Sequence, residues 1–342
     1  MELAPAQPLG RSARPAPGRA GASPRLRRVA GPAVQTGPAV QVDALVKAYR
    51  GRRVLDGATW SAEHGQVTAV LGPNGAGKTT TVECCEGLRR PDAGRVRVLG
   101  LDPVADAAAL RPRVGVMLQD GGLPTGARAG EVLRLVAALH ERPVPPADLL
   151  AELGLADHVR TTVRRLSGGQ KQRLALAVAV VGRPEVAFLD EPTAGLDPQA
   201  RLVVWDLIGR LRDVGCAVVL TTHLLDEAER LADRVVVVDQ GRVVADGAPA
   251  DLAGGASWLQ FDGPPGLDLV GLARQLVPGT SVTEPAPGSY RVQPADGTEL
   301  DPAALASVTA WCADQGVMPE RLALRRPSLE TVFLDLTGRQ LR

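Results

Sequence analysis

The sequence predicts an α/β fold, a largely parallel sheet with helices packed around it, followed by a small α+β unit. Three observations carry this. Short apolar, Val-rich runs recur at 67–71, 186–189, 217–220 and 235–238, without the polar alternation of a half-exposed strand. Such runs suit strands buried on both faces. Patterns of helical period lie between them, and strands alternating with helices argue for α/β architecture. Beyond Gly254-Gly255 the rhythm changes to shorter, half-polar elements.

Taken in order, Val40–Val46 alternates loosely and reads as a strand, and Val67–Leu71 is a strand that runs into a glycine-rich loop and a helix from Lys78. Val114–Leu118 is a further strand, and a helix covers about 130–140 with Val132, Leu135, Val136 and Leu139 on one face. Leu166-Ser167 opens a helix marked by Leu174, Ala177, Val178 and Val181. A helix over 198–213 places Leu202, Trp205 and Ile208 three apart. The last part reads as strand (Trp258–Phe261), helix (268–276), strands near Val282 and Tyr290–Val292, helix (302–315) and strand (Leu322–Leu324). That βαββαβ order suits a ferredoxin-like module. A closing helix is capped by Ser328, repeats Leu329, Val332, Phe333 and Leu336 on one face, and ends at Gly338. The expected division is a disordered tail (1–39), a main unit (40–253) and an accessory unit (254–342).

Composition narrows the function. Hydrophobic residues make up 45% and charged residues 23% of 342, and the net charge is +1, so the basic excess of a nucleic-acid-wrapping domain is missing. Four scattered cysteines form neither a disulfide framework nor a CxxC pair. The longest stretches free of charged side chains are 14 residues (64–77 and 29–42), short of the about 20 needed to span a bilayer. Residues 1–39 carry six Arg, seven Pro and one acid, a composition too poor in apolar surface to offset the entropy of ordering.

The chemistry begins at Gly72-Pro73-Asn74-Gly75-Ala76-Gly77-Lys78-Thr79, a GxxxxGK[ST] run between a predicted strand and a predicted helix. Its glycines let several backbone N–H groups turn toward one anion, and the helix N-terminus adds about half a positive charge. Lys78 can then reach the β- and γ-phosphates of a nucleotide, and the Thr79 hydroxyl can ligate Mg²⁺; Thr80 completes the candidate nucleotide-binding run. Lysine occurs only three times among the 39 basic residues, so its presence at this position argues against coincidence. Asp190 and Glu191 end the strand after Phe188-Leu189, at the carboxyl edge where ligands of parallel sheets bind. Asp190 is a candidate for holding Mg²⁺ through water, and Glu191 for polarising an attacking water. Gln119 and His223 also fall at strand ends, and Ser167-Gly168-Gly169-Gln170 opens a helix where N–H groups and a hydroxyl are free to meet an anion. Standing alone, each of these last three features reads as an ordinary surface residue or an N-cap.

Together they resemble the nucleotide-binding subunit of an ABC transporter, over about residues 40–250. Leu166-Ser-Gly-Gly-Gln170 is similar to the family's signature and lies 20 residues before Asp190. The Walker A run, Gln119 of the Q-loop, the signature, Walker B with Glu191, Gly195-Leu196-Asp197 of the D-loop and His223 of the switch occur in the family's order. The resemblance implies an antiparallel β subdomain and a helical subdomain beside the parallel core. It also implies ATP as ligand with Mg²⁺, Tyr49 stacked on adenine, and Glu191 as general base. His223 would hold the γ-phosphate, with Gln119 sensing metal and water. Two cassettes would close head to tail, Walker A of one facing Ser167, Gly168 and Gly169 of the other, with Asp197 linking the two sites. Pro327–Gly338 looks like the C-terminal tail of ABC-2-type drug-exporter ATPases. That implies efflux of a hydrophobic compound through a separately encoded integral membrane permease, from the cytoplasmic face. The alternative is a soluble ABC ATPase acting on nucleic acid or ribosomes. Against it stand a single Walker A run, no long heptad pattern and a cassette region that is not basic, so no nucleic-acid partner is expected.

Overall fold

The computed structural model describes residues 37–119, 122–254, 257–294, 300–325, 328–330 and 332–333. Of the tail expected to be disordered (1–39), residues 1–36 lie outside the described residues, as do Asp120, Gly121, Leu336 and Gly338. Ala39, by contrast, is buried and its carbonyl accepts Leu99 N–H (2.8 Å), which orders the residue before Val40. The chain opens on β1 (Val40–Tyr49) and β2 (Arg52–Ala62), then β3 (Val67–Leu71), α1 (Lys78–Cys85), β4 (Ala93–Val98), α2 (Ala107–Leu110) and β5 (Val114–Met117). There follow α3 (Ala129–Ala137), α4 (Pro146–Glu152), α5 (Gly168–Val180), β6 (Val186–Asp190), α6 (Pro198–Asp213), β7 (Ala217–Thr222), α7 (Leu225–Leu231), β8 (Arg234–Asp239), β9 (Arg242–Gly247) and α8 (Pro249–Leu252). The last unit holds β10 (Trp258–Asp262), α9 (Leu269–Arg274), β11 (Thr280–Ala286), β12 (Ser289–Pro294), α10 (Pro302–Asp314) and β13 (Glu320–Arg325).

The main sheet runs β5-β6-β7-β3-β8-β9, parallel except for β9. Every residue of β3, β6 and β7 is buried, which is why these segments carry no polar alternation. One face of β3, with Val67, Ala69 and Leu71, belongs to the core that also gathers the buried residues of α3, α5 and α6. The other face, with Val70, packs against the antiparallel sheet β2-β1-β4 through Leu45, Leu55 and Val96. The parallel core, antiparallel layer and helical layer implied by the resemblance are therefore all present. The last unit forms the sheet β11-β12-β10-β13, antiparallel throughout, which is the strand order of a ferredoxin-like module. Its separate core gathers Phe261, Tyr290, Val308 and Trp311.

Two expected helix faces are wrong. On α3, Leu135 and Leu139 are exposed (64% and 75%), whereas Ala129, Leu133 and Ala137 face the core beside Val132. The cause is the approach of residues 159–161 to the first turn: Gly130 N–H donates to Val159 O (3.0 Å) and Ala129 N–H to Thr161 O (3.0 Å), which sets the helix rotation. On α6 the buried stripe is Ala200, Val204, Leu207, Ile208 and Leu211, while Leu202 is exposed. Steps of three drift about 60° each around a helix, so the 202-205-208 series leaves the core face. Trp205 stays at the boundary because its Nε1–H donates to Glu227 Oε1 (3.0 Å).

The closing helix also goes elsewhere than its sequence position suggests. Leu329 and Phe333 pack into the main core rather than the ferredoxin-like one, and Leu329 N–H donates to Glu229 Oε1 on α7 (2.7 Å). Among the described residues no helix is long and apolar enough to cross a membrane.

Candidate nucleotide site

Parallel strands deliver their carboxyl ends to one edge, and the site is what they deliver. β3 ends in the glycine-rich loop, β6 in Asp190 and Glu191, β7 in Thr221, Thr222 and then His223, and β5 near Gln119. The register β6–β7 sets Asp190 opposite Thr221, and β3–β7 sets Leu71 opposite Thr222.

The loop is wedged in place. A Cβ on Gly72 would lie 2.2 Å from Val238 O, and one on Gly77 (φ 108) would lie 2.7 Å from Leu55 Cδ2. Only glycine lets the loop pass between β2 and the β8–β9 turn, and Gly241 N–H braces it by donating to Ala76 O (3.0 Å). Lys78 is buried, with Nζ donating to Gly72 O (2.7 Å) and Pro73 O (3.3 Å). Burial lowers its pKa, opposed by the nearby charges of Glu191 and Asp190. A crevice of about 620 Å³ beside the loop is lined by Pro73 to Ala76, Arg52, Arg53, Val54, Asp239 and Gln240.

Asp190 is buried and accepts from the hydroxyls of Thr221 and Thr79. Burial raises its pKa, and the two hydroxyls oppose the shift. Thr79 and Asp190 thus form an oxygen pair at the foot of the loop, a donor set that suits a hard cation. Among the described residues there is no group of three or more His, Cys, Asp or Glu able to hold a metal alone.

Glu191 adopts a left-handed backbone (φ 49), which a non-glycine residue holds only when its surroundings impose it. Three contacts do so. Its N–H donates to Thr221 O and Oγ1 (3.1 Å each), and its carbonyl accepts from Gln172 Nε2 (2.6 Å). The result aims the carboxylate at His223, Oε2 lying 2.8 Å from Nδ1.

Ser167 is the N-cap of α5 and forms a reciprocal capping box with Gln170: Gln170 N–H donates to Ser167 Oγ (3.2 Å) and Ser167 N–H to Gln170 Oε1 (2.9 Å). Ser167 and Gly168 are exposed, but the Gln170 side chain is committed to the cap and does not point to solvent as a ligand would. Asp197 is exposed and caps α6, accepting Ala200 N–H (2.8 Å). Gly195 has φ 69, so glycine is the residue this turn accommodates without strain.

Two predicted residues are less engaged. Gln119 is exposed and, among the described residues, makes no hydrogen bond. Tyr49 sits at the end of β1 with Lys47 Nζ 5.6 Å and Arg89 Cζ 5.9 Å from its ring, and does not line the crevice.

Gln172, Thr221 and Glu86 at the site escaped the sequence reading, as did the buried carboxyl of Glu227. Glu227 is fully buried, Oε1 accepting from Thr193 Oγ1 (2.9 Å) and Trp205 Nε1 (3.0 Å). Glu86, past the end of α1, has a buried Oε1 with no partner among the described residues. Burial, with Asp190 and Glu83 nearby, pushes its carboxyl up to about 8. A carboxyl raised in the folded state costs stability as pH climbs from its unfolded value, 4.5, to about 8, because only the unfolded chain releases the proton early. Glu86→Gln is therefore expected to raise the melting temperature by a few degrees at pH 8 and not at pH 4.5. Parallel melting curves across that range would contradict it.

Comparison with known proteins places this geometry. The ABC transporter family model matches residues 55–194. The chain is 42% identical to daunorubicin resistance ATP-binding protein DrrA3 of Streptomyces coeruleorubidus over 312 residues, 88% of this chain and 96% of that protein. It is 37% identical to Nod factor export ATP-binding protein I of Ralstonia nicotianae over 331 residues, 93% of this chain and 99% of that one. A solved ATP-binding subunit of an ABC transporter superposes with a TM-score of 0.58 at 30% identity, covering 62% of this chain and 91% of that chain. Relatives matched along nearly their whole length, together with the family model, show that the chain belongs to the ABC transporter family as one of its ATP-binding, ATP-hydrolysing subunits.

Proposed function

We propose that this chain is the engine of an ABC-2-type exporter, in which two copies close head to tail around two ATP molecules and drive a separate integral membrane permease from the cytoplasmic face. The observation that carries the chemistry is the Glu191–His223 contact at 2.8 Å beside the phosphate loop. The similarity to daunorubicin resistance and Nod factor export proteins supports efflux, of a hydrophobic compound in our reading. In this reading residues 40–253 are the cassette and 254–342 an accessory unit, tied back through Leu329 and Phe333.

The loop N–H groups and Lys78 bind the β- and γ-phosphates. Mg²⁺ needs only one or two protein oxygens when phosphates and water complete its shell, and Thr79 and Asp190 meet that need, with Gln119 joining on closure. The metal would neutralise charge developing between the β- and γ-phosphates. Glu191 accepts the proton of the attacking water, and His223 orients that carboxylate and contacts the γ-phosphate. Ser167, Gly168 and Gly169 of the second chain cover the γ-phosphate from the opposite side, and Asp197 joins the two sites. Tyr49, exposed at the end of β1 outside the crevice, meets adenine only where the nucleotide extends past that crevice. Little covalent chemistry falls to the protein; it positions and stabilises charge.

Mixing two inactive variants tests the shared site. Ser167→Arg and Lys78→Ala each stop turnover alone, and their mixture regains a fraction of wild-type ATPase, because each heterodimer holds one intact composite site. A mixture as dead as its parts would overturn the head-to-tail arrangement. Co-purification of the native protein with an integral membrane protein tests the exporter role, and recovery with ribosomes or DNA instead would refute it.

A further inference from the structure

We infer that His158 is a positioning residue for the signature turn, acting on Ser167 through Gln170. This rests on the reading of Ser167 as a contact to nucleotide across the dimer. The His158 Nε2 atom lies 2.9 Å from Gln170 Nε2. Which of the two donates follows from the rest of the network. Gln170 Oε1 accepts Ser167 N–H (2.9 Å), so the amide NH₂ is the end that faces the ring. An NH₂ only donates, hence His158 Nε2 is the acceptor, and the neutral ring carries its proton on Nδ1. With the proton on Nδ1, the ring and the cap hold the same amide from both ends, Nε2 by the imidazole and Oε1 by Ser167 N–H. In the flipped amide, an NH₂ would confront Ser167 N–H and the capping box would lose half its bonds.

The ring has a firm base from which to do this. His158 closes a one-turn 3-10 helix, Ala156–His158, behind fully buried Leu155. Its N–H donates to Leu155 O (3.0 Å) and its carbonyl accepts Thr161 N–H (2.9 Å). One turn along α5 from Gln170, Arg173 Nη1 donates to Leu153 O (2.7 Å), so two side chains of α5 grip the same segment. Gln170 N–H occupies Ser167 Oγ as acceptor (3.2 Å), leaving the hydroxyl proton for an external oxygen. The direction of that proton depends on the box, and the box on the amide that His158 holds.

The test is steady-state ATPase on the full-length protein. One hydrogen bond's worth of positioning predicts that His158→Ala lowers kcat by about three- to tenfold, with KM for ATP within about twofold, since the phosphate loop is untouched. His158→Gln restores kcat to within about twofold, because its Oε1 stands as many bonds from Cα as the imidazole Nε2 and accepts the same bond. In a Gln170→Ala background, adding His158→Ala changes kcat by less than about twofold, as two residues acting through one contact are not additive. An unchanged kcat in His158→Ala, a His158→Gln no better than His158→Ala, or an equal loss in both backgrounds each overturns the inference. Should His158→Ala fail to fold, His158→Leu, which fills the site without an acceptor, decides against His158→Gln in the same way. Ser167→Arg separates the two levels. Full turnover in that variant removes the shared-site reading itself, whereas a dead Ser167→Arg beside an unaffected His158→Ala removes only the role of His158.

Discussion

Glu191→Gln is expected to lower ATP turnover by about a hundred- to ten-thousandfold, the range a general base contributes. The substitution keeps the shape and removes the base. The N–H bonds to Thr221 and the carbonyl bond from Gln172 involve only the backbone of residue 191, so its left-handed conformation survives. An amide oxygen still faces His223 but cannot take the proton of an attacking water. Nucleotide binding, which falls to the loop and Lys78, stays near the wild-type level. The variant should therefore accumulate as an ATP-bound dimer, visible as a shift in size-exclusion chromatography at saturating Mg·ATP. Turnover within tenfold of wild type would remove Glu191 from the role of base.

Lys78→Ala attacks the other half of the site. Each hydrogen bond to a charged partner contributes about 1.5–3 kcal/mol, so losing the lysine's contacts to two phosphates should weaken ATP binding by at least about tenfold. The residue also spans its own loop through the Gly72 and Pro73 carbonyls, and its removal loosens the cradle before any nucleotide arrives. Titration calorimetry with ATP reads the effect directly. An affinity within twofold of wild type would show that the loop N–H groups suffice. Lys78→Arg should not rescue, because a planar fork does not replace the compact, buried ammonium that donates to the Gly72 and Pro73 carbonyls.

Much of the strand inventory was legible in the chain because burial leaves a local mark. Val67–Leu71 matched residue for residue, and β6, β7 and β8 each extended the apolar run by one or two polar residues at the ends. Of those extra residues, Asp190, Thr221, Thr222 and Asp239 sit at the carboxyl edge, where strand pairing continues past the hydrophobic pattern, and Arg234 at the amino end of β8. The helix faces were less legible. Leu135, Leu139 and Leu202 are apolar at helical spacing yet exposed, since a period identifies a helix but a neighbour sets its rotation. The closing helix was read correctly as amphipathic in its described part, but its partner is α7 and the main core, a choice no local pattern encodes.

What the residue order determined alone was the phosphate cradle, the acids at the end of β6 and the serine cap of α5. Each is a contiguous run whose chemistry follows from its own backbone, glycines for a loop that must bend and a hydroxyl for a helix that must be capped. Tertiary structure decided the rest. Glu191 meets His223 because β6 and β7 are neighbours in register, and Gln172 and Thr221 became site residues only when their strands and helices were laid side by side. A hydrogen bond between distant residues depends on how elements pack, and common polar residues such as these carry no mark of it along the chain.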